Sequence, residues 1–280
     1  MEKSLNQLLE LGIINIDKPT GPTSFSVDEI VKEILKLRKT SHGGTLDPAV
    51  TGVLPIFLNR ACKLLGFFLG EDKEYIGVMR LHEEVSMKKV QEIINKKFLG
   101  KIKQTPPVKS RVKRQERERE IKSFELLEQD GKDILFKTEV QGGNYIRKLI
   151  DDLGKEPEIG GAHMLELRRT KAGIFYEKKV YTLYDLEKAK NNEEALKRII
   201  IPGEEALKKI FSSIQVKESS IKNLLTGKPV RKEDLDKKQS FETGELINLF
   251  SGERLIGVYK VVNEGEIFAK PEFVLQDIKN

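Results

Sequence analysis

The stretch KSFELLEQDGKDILFKTEV, residues 122–140, contains two runs of strand-forming residues, Lys122 to Glu128 and Ile134 to Val140. They flank an Asp130-Gly131 pair, the chemistry of a tight turn, and so predict a β-hairpin. An adjacent antiparallel pair argues for a mixed or antiparallel sheet covered by helices rather than a regular βαβ series, and the fold class is α+β. Working outward, Glu74 to Leu81 reads as a strand, as does the short run 13–16, which stops at Asp17-Lys18-Pro19 and the stiff PTGPTS connection. A helix follows, with Ser26 and Glu29 spaced as a capping box and Val27, Ile30, Val31, Ile34 and Leu35 on one face. Ala61, Leu64, Leu65 and Phe68 predict a second helix, and Val90, Ile93, Ile94 and Phe98 a third starting near Ser86. After Lys190 the chain turns polar and helical. From Ser213 onward, short apolar runs broken by Gly227, Gly244, Gly252, Gly257 and Gly265 suit a small β-barrel.

A chain of 280 residues with 38% hydrophobic content buries an ordinary core, which excludes a disordered tail or a fibre. Cys62 is the single cysteine, so an intramolecular disulfide or a thiolate-held cofactor is excluded and a reducing compartment is expected. The opening residues lack the pattern of a signal peptide and no run approaches the ~18 apolar residues of a membrane span, so the expected location is cytoplasmic. The net charge is +6. Between Lys101 and Arg119, eight basic residues face two acidic ones, a local surplus equal to that of the whole chain. Gln104-Thr105-Pro106-Pro107 keeps the start of this segment out of a helix. Lys109, Arg111, Lys113 and Arg114, nearly free of interleaved aromatics, suit phosphate contacts better than base stacking, while the RQERERE run also reads as a solvated helix face. A membrane surface would require an apolar face that the segment lacks.

SHGGTLDPAVTG, residues 41–52, is the densest candidate for chemistry. Its glycines permit unusual backbone conformations and close approach of a ligand, and Pro48 restricts Asp47 to extended conformations, so the loop presents one carboxylate rigidly. Taken alone it also reads as a turn in which the aspartate bonds its own backbone. It lacks the GK[ST] of a phosphate-binding P-loop. His42, His82 and His163 are scattered, without metal-ligand spacing, so no metal is expected. In isolation His42 is structural, Tyr75 packs a core, and Arg147, after a Gly142-Gly143 turn into a helix, is a solvated helix residue.

Together, IDKPTGPTS, SHGGTLDPAVTGVLP, DKEY, QGGNYIRKLIDDLG and GAHMLELRRTKAG, in that order over residues 13–176, resemble the RNA pseudouridine synthases that include bacterial tRNA uridine-55 synthases and the dyskerin-type enzymes. GGTLDP, TPPVKSRVKR and HMLELRRT resemble the dyskerin branch more closely. VKESSIKNLLTGKPV and SGERLIGVYKV resemble, more loosely, a PUA RNA-binding barrel. The resemblance implies a pseudouridine synthase domain over 1–205, with a thumb loop at about 101–119, and a PUA domain over 206–280. It places Asp47 at the family's catalytic aspartate, Tyr75 at the tyrosine packing on the target base, and Arg147 at the arginine pairing with the aspartate. His42 falls near the flipped nucleotide, Lys18 on a lysine supporting the site, and Leu167 on an apolar pocket residue. The chain departs from the family where GTYIR becomes Gly143-Asn144-Tyr145-Ile146-Arg147, and its N-terminal extension is short.

The implied reaction is an isomerisation: uracil leaves C1′ of its ribose, turns, and rejoins through C5, with neither metal nor redox cofactor. The carboxylate attacks the base, attacks the sugar, or removes a ribose proton, and the sequence leaves all three open. A buried pair of Arg147 and Asp47 would favour the ionised carboxylate. The uridine must leave its stack, at a cost of about a few kcal/mol that phosphate contacts offset. The implied partners are macromolecular, with neither small-molecule substrate nor membrane. They are a box H/ACA guide RNA with ribosomal RNA, a kink-turn-binding ribosomal-type protein and two small accessory proteins. Guide-independent action on tRNA uridine 55 is the alternative within the same chemistry. A non-catalytic RNA scaffold is the alternative of a different class, which the intact set of Asp47, Tyr75 and Arg147 opposes.

Overall fold

The computed structural model describes residues 3–105, 115–237 and 239–276. Two compact units divide the chain, residues 1–200 and 201–280. Among the described residues, no helix is long and apolar enough to cross a membrane.

In the first unit the chain runs through α1 (Leu5–Glu10), β1 (Gly12–Lys18), α2 (Ser24–Ile34), β2 (Thr40–His42) and β3 (Thr51–Leu58). A 3-10 segment (Asn59–Leu64) leads to α3 (Leu65–Leu69), β4 (Lys73–Leu81), α4 (Met87–Lys97), β5 (Gly100–Gln104), β6 (Arg117–Asp130) and β7 (Asp133–Val140). Then come α5 (Ile146–Gly154), β8 (Ala162–Ala172), β9 (Phe175–Tyr176), α6 (Leu183–Ala189) and α7 (Glu193–Ile199). The sheet order β1-β3-β8-β4-β7-β6-β5 joins two antiparallel halves. Their seam is a parallel contact, Thr51 opposite Arg168 and Gly52 opposite Arg169. The strands approach so closely there that a Cβ on Gly52 would lie 2.2 Å from the Arg169 carbonyl oxygen, which explains the glycine.

The hairpin forms as the sequence predicts: Asp130 pairs with Asp133 across Gly131-Lys132, and Gly131 takes φ +55°, as the first position of such a turn requires. β4 alternates inward and outward with period 2, burying Tyr75, Met79 and Leu81. On that face Leu149, Ile150 and Leu153 of α5 and Val90, Ile93 and Ile94 of α4 complete one apolar cluster. Under β1 and β3 a second cluster collects Val27 and Val31 of α2 with Leu186 and Leu196.

Two helix expectations are corrected. α2 begins at Ser24, capped by Thr23, whose hydroxyl accepts the Ser26 N–H at 3.0 Å, so the pairing of Ser26 with Glu29 does not start it. The proposed second helix is a 3-10 segment followed by five α-helical residues that end at the C-cap residue Gly70. The third helix runs over Met87–Lys97 with Ser86 as its N-cap residue.

The chain passes into the second unit through β10 (Ile200–Pro202), followed by α8 (Gly203–Lys208), β11 (Ser212–Gln215), α9 (Ile221–Leu225), β12 (Val230–Arg231), β13 (Leu246–Ser251), β14 (Arg254–Glu264) and β15 (Ile267–Val274). The sheet order of this unit is β11-β13-β14-β15-β12, with β11 parallel to β13 and the other neighbours antiparallel. Ile247, Leu249, Ile256, Tyr259 and Phe268 fill its core. Asn248, fully buried, donates to the carbonyls of Leu207 at 3.1 Å and Phe211 at 3.0 Å, which satisfies two polar groups that burial would otherwise leave costly.

Candidate active site

Asp47 lies in the loop between β2 and β3, beside the seam of the two half-sheets. Three buried polar side chains reach the backbone of this loop from different elements. Ser24, at the start of α2, accepts the Leu46 N–H at 2.8 Å and donates its hydroxyl to the Leu46 carbonyl at 2.9 Å. Lys18, at the end of β1, donates to the carbonyls of Pro19, Pro48 and Val50 at 2.8, 3.0 and 2.9 Å. Arg169, from β8, donates to the Gly44 carbonyl at 2.9 Å and the Val53 carbonyl at 2.7 Å. Main-chain bonds add to these: Gly21 N–H to Pro48 O at 3.0 Å, Val50 N–H to Asp47 O at 3.0 Å, and Gly43 N–H to Pro55 O at 2.7 Å. Gly44, at φ +104°, occupies a conformation that a side chain would strain. The aspartate is therefore held through its neighbours on both sides while its own carboxylate stays available.

Arg147 stands in the first turn of α5, and its Nη2 donates to Asp47 Oδ2 at 2.5 Å. The pair joins residues 100 positions apart. It is open to solvent, with the side chains 64% and 48% exposed for Arg147 and Asp47, so the burial under which such a pair would favour the ionised carboxylate is not met. An exposed ion pair contributes little to folding. Its openness instead leaves both groups accessible to an incoming ligand. α5 reaches this place through Gly142 and Gly143. A Cβ on Gly142 would lie 2.7–2.9 Å from the carbonyl oxygens of Leu69, Gly70 and Glu71, so only glycine lets the chain pass.

Tyr75 faces inward from β4, buried in the same cluster as Leu46, Phe136 and Leu149. Leu167, half-buried on β8, pairs with Gly77 and packs on that cluster. A Cβ at Gly77 would come within 2.8 Å of the Phe136 ring and 2.9 Å of Leu167, so this glycine preserves the apolar wall two residues from Tyr75. His42 faces elsewhere: its Nε2 lies 3.3 Å from Thr45 Oγ1 and its Nδ1 3.7 Å from Asp28 Oδ2. No bond from His42 to Asp47 occurs among those described, so the geometry supplies no acid-base link between them.

Burial lowers the affinity of the Lys18 ammonium for its proton, an effect that the charge of Asp47 opposes. Lys73, which donates to the carbonyls of Leu69 at 2.9 Å and Glu71 at 2.5 Å, is pushed down to about 8 by burial and by the charge of Arg169.

Lys109, Arg111, Lys113 and Arg114 lie outside the described residues. At the flanks of that segment, Lys101 bridges Glu118 at 3.0 Å and Lys103 bridges Glu116 at 3.4 Å. Those pairs consume both acidic residues of the 101–119 stretch and concentrate its unbalanced positive charge in residues 109–119. This part of the segment is strand β6 rather than a solvated helix face from Arg117 onward.

Ser24 and Arg169 were not singled out by sequence reasoning, although both stand inside quoted motifs, PTGPTS and HMLELRRT. The histidines are not all scattered in space: Nε2 of His82, just past the end of β4, and Nδ1 of His163, on β8, are 2.9 Å apart. Among the described residues no three His, Cys, Asp or Glu side chains converge as a metal site. The arrangement provides one immobilised carboxylate, a guanidinium upon it, and an aromatic and aliphatic wall nearby. This set of groups suits nucleophilic or general-base work on a planar ligand.

Comparison with known proteins extends this reading over the whole chain. Residues 32–146 match the TruB family pseudouridylate synthase (N terminal domain), and residues 147–208 the tRNA pseudouridylate synthase B C-terminal domain. A probable tRNA pseudouridine synthase B of Methanocaldococcus jannaschii is 40% identical, over 99% of this chain and 84% of the relative. The corresponding Nanoarchaeum equitans protein is 38% identical over 99% and 81%. Among solved structures, a chain of a Cbf5-Nop10-Gar1 complex superposes with TM-score 0.87 at 34% identity, covering 98% of this chain and 88% of the other. A chain of an H/ACA RNP bound to a substrate RNA containing 2′-deoxyuridine superposes with TM-score 0.86 at 32% identity, covering 98% and 88%. With motifs, fold and full-length similarity in agreement, the chain belongs to the TruB family of RNA pseudouridine synthases.

Proposed function

We propose that Asp47 is the reacting carboxylate of this synthase, that Arg147 holds it in place and balances its charge, and that Tyr75 and Leu167 form the wall against which the extruded uracil lies. The observation that carries this reading is the 2.5 Å bond from Arg147 to Asp47 on a loop whose backbone is held by Lys18, Ser24 and Arg169. Lys18 supports the site through the Pro48 and Val50 carbonyls that follow the aspartate, and His42 borders it through Thr45. Lys109, Arg111, Lys113 and Arg114 supply phosphate contacts that offset the roughly few kcal/mol of unstacking the target nucleotide. Asp47→Asn removes the nucleophile or base with almost no change of shape. Pseudouridine formation falls below detection while RNA affinity changes less than about twofold; retained turnover would remove Asp47 from the mechanism.

We infer further that this enzyme works as the catalytic subunit of a box H/ACA guide ribonucleoprotein on ribosomal RNA, with two small accessory proteins and a kink-turn-binding protein. Near-complete superposition on a chain of an H/ACA RNP bound to substrate RNA supports this reading. Residues 206–280 serve in it as a PUA barrel that binds RNA. A second reading is guide-independent action on tRNA uridine 55, and the relatives' name, tRNA pseudouridine synthase B, supports tRNA as the substrate. Incubating the purified chain with a tRNA transcript, with and without guide RNA and accessory proteins, separates the two. Efficient conversion by the chain alone reverses their order.

A further inference from the structure

Gln104 is the last residue of β5, and its polar side chain is buried. Its carboxamide engages both backbone polar groups of one distant residue: Oε1 accepts the Tyr145 N–H at 3.0 Å, and Nε2 donates to the Tyr145 carbonyl at 3.4 Å. Tyr145 is the N-cap residue of α5, and its side chain makes no capping bond. Its carbonyl also receives the Leu149 N–H at 2.9 Å, one of the first bonds of the helix. A side chain from a strand 41 residues away thus holds the backbone of the cap. Nearby contacts converge on the same lead-in. Asn144 Nδ2 donates to the Glu120 carbonyl at 3.1 Å, and Arg119 Nε to the Gly143 carbonyl at 3.4 Å. Residues 143–145 are therefore gripped by the β5–β6 pair immediately before the helix turn that bears Arg147.

We propose that Gln104 is a positioning residue for the pair of Asp47 and Arg147: by clamping the backbone N–H and C=O of Tyr145 it sets the first turn of α5 and aims the guanidinium at the carboxylate. This inference rests on the reading of that pair as the reacting centre. The Arg147 side chain is largely exposed and makes its described bond to Asp47 through one terminal nitrogen, so its direction depends on where its own backbone is anchored. Displacement of a reacting geometry by about 1 Å costs roughly a hundredfold in rate.

Two substitutions test the clamp. Gln104→Leu leaves the Tyr145 N–H without its acceptor. Gln104→Glu keeps the shape, but only its protonated form both accepts and donates as the amide does. Gln91→Leu is the control: Gln91 makes a similar pair of hydrogen bonds to the hairpin, accepting the Leu126 N–H at 2.9 Å and donating to the Phe124 carbonyl at 2.9 Å, away from α5. Single-turnover pseudouridine formation is measured at saturating RNA, with RNA affinity and melting temperature recorded for each protein. Gln104→Leu slows the step roughly tenfold or more with affinity changed less than about twofold. Gln91→Leu loses comparable thermal stability and keeps the rate. The ratio of Gln104→Glu to wild type rises as pH falls from about 8 to about 5.5, as the buried carboxyl takes up its proton, while the Gln104→Leu ratio stays flat. Wild-type rates in both Gln104 variants, a rate loss matched by Gln91→Leu at equal stability, or a flat Gln104→Glu ratio would overturn the inference. Each of these leaves the role of Asp47 standing, which only the Asp47→Asn experiment addresses.

Discussion

Replacing Ser24 with alanine tests whether the loop bearing Asp47 is held through its backbone. The Ser24 hydroxyl makes two bonds to Leu46, 2.8 and 2.9 Å long, and both residues are buried. Each bond contributes about 1 kcal/mol net, and leaving a buried N–H and C=O unpartnered adds to the loss, so the variant should be about 2–4 kcal/mol less stable. In a unit of 200 residues, 1 kcal/mol corresponds to about 2–4 °C in melting temperature, which predicts a decrease of about 4–16 °C. Leu46 packs in the cluster that contains Tyr75, and it immediately precedes Asp47. The freed loop should therefore lose catalytic alignment as well as stability, with a rate decrease of roughly tenfold or more at saturating RNA. Thermal unfolding followed by circular dichroism gives the first quantity. Tritium release from RNA labelled at uridine C5 gives the second, because that hydrogen is replaced when the glycosidic bond re-forms. Ser26→Ala serves as control, since Ser26 bonds only the exposed Thr23 among its described side-chain contacts and should move stability by less than about 0.5 kcal/mol. A Ser24→Ala protein that melts within about 1 °C of wild type and turns over at the wild-type rate would refute the backbone-cradle argument.

Lys73 titrates at about 8 in the folded chain against 10.5 ordinarily, so between those values the unfolded state holds a proton that the folded state has released. Stability relative to Lys73→Met should consequently rise with pH from about 8 towards about 10.5, and a flat difference in denaturant midpoints across that window would contradict the assignment. Replacing Lys109 and Arg111 together with alanine should weaken RNA binding and flatten its salt dependence, by about 0.7 to 0.9 in the log–log slope for each phosphate that the protein no longer neutralises. An unchanged slope would mean that these two residues do not touch phosphate.

The local patterns of this chain are legible because they depend on neighbours a few residues apart. The Asp130-Gly131 turn, the period-2 burial of β4 and the apolar face of Met87–Lys97 are each contained in a short window, and each forms where the sequence places it. Helix ends are less legible, since Thr23 and Ser26 both qualify as caps and only backbone geometry selects Thr23. The joining of Asp47 and Arg147 follows from family resemblance, not from spacing: alone, the arginine reads as one more solvated helix residue. Which polar groups cradle the aspartate was decided by tertiary structure. Ser24, Lys18 and Arg169 all bind main-chain carbonyls, and such acceptors are present at every residue, so no sequence pattern marks which one a buried donor will meet. The same holds for the openness of the ion pair, for His42 facing Asp28 and Thr45, and for Gln104 reaching Tyr145. A chain encodes its periodicities locally, whereas contacts across tens of residues arise only once the two half-sheets meet at Thr51 and Gly52 and bring β1, β3 and β8 side by side.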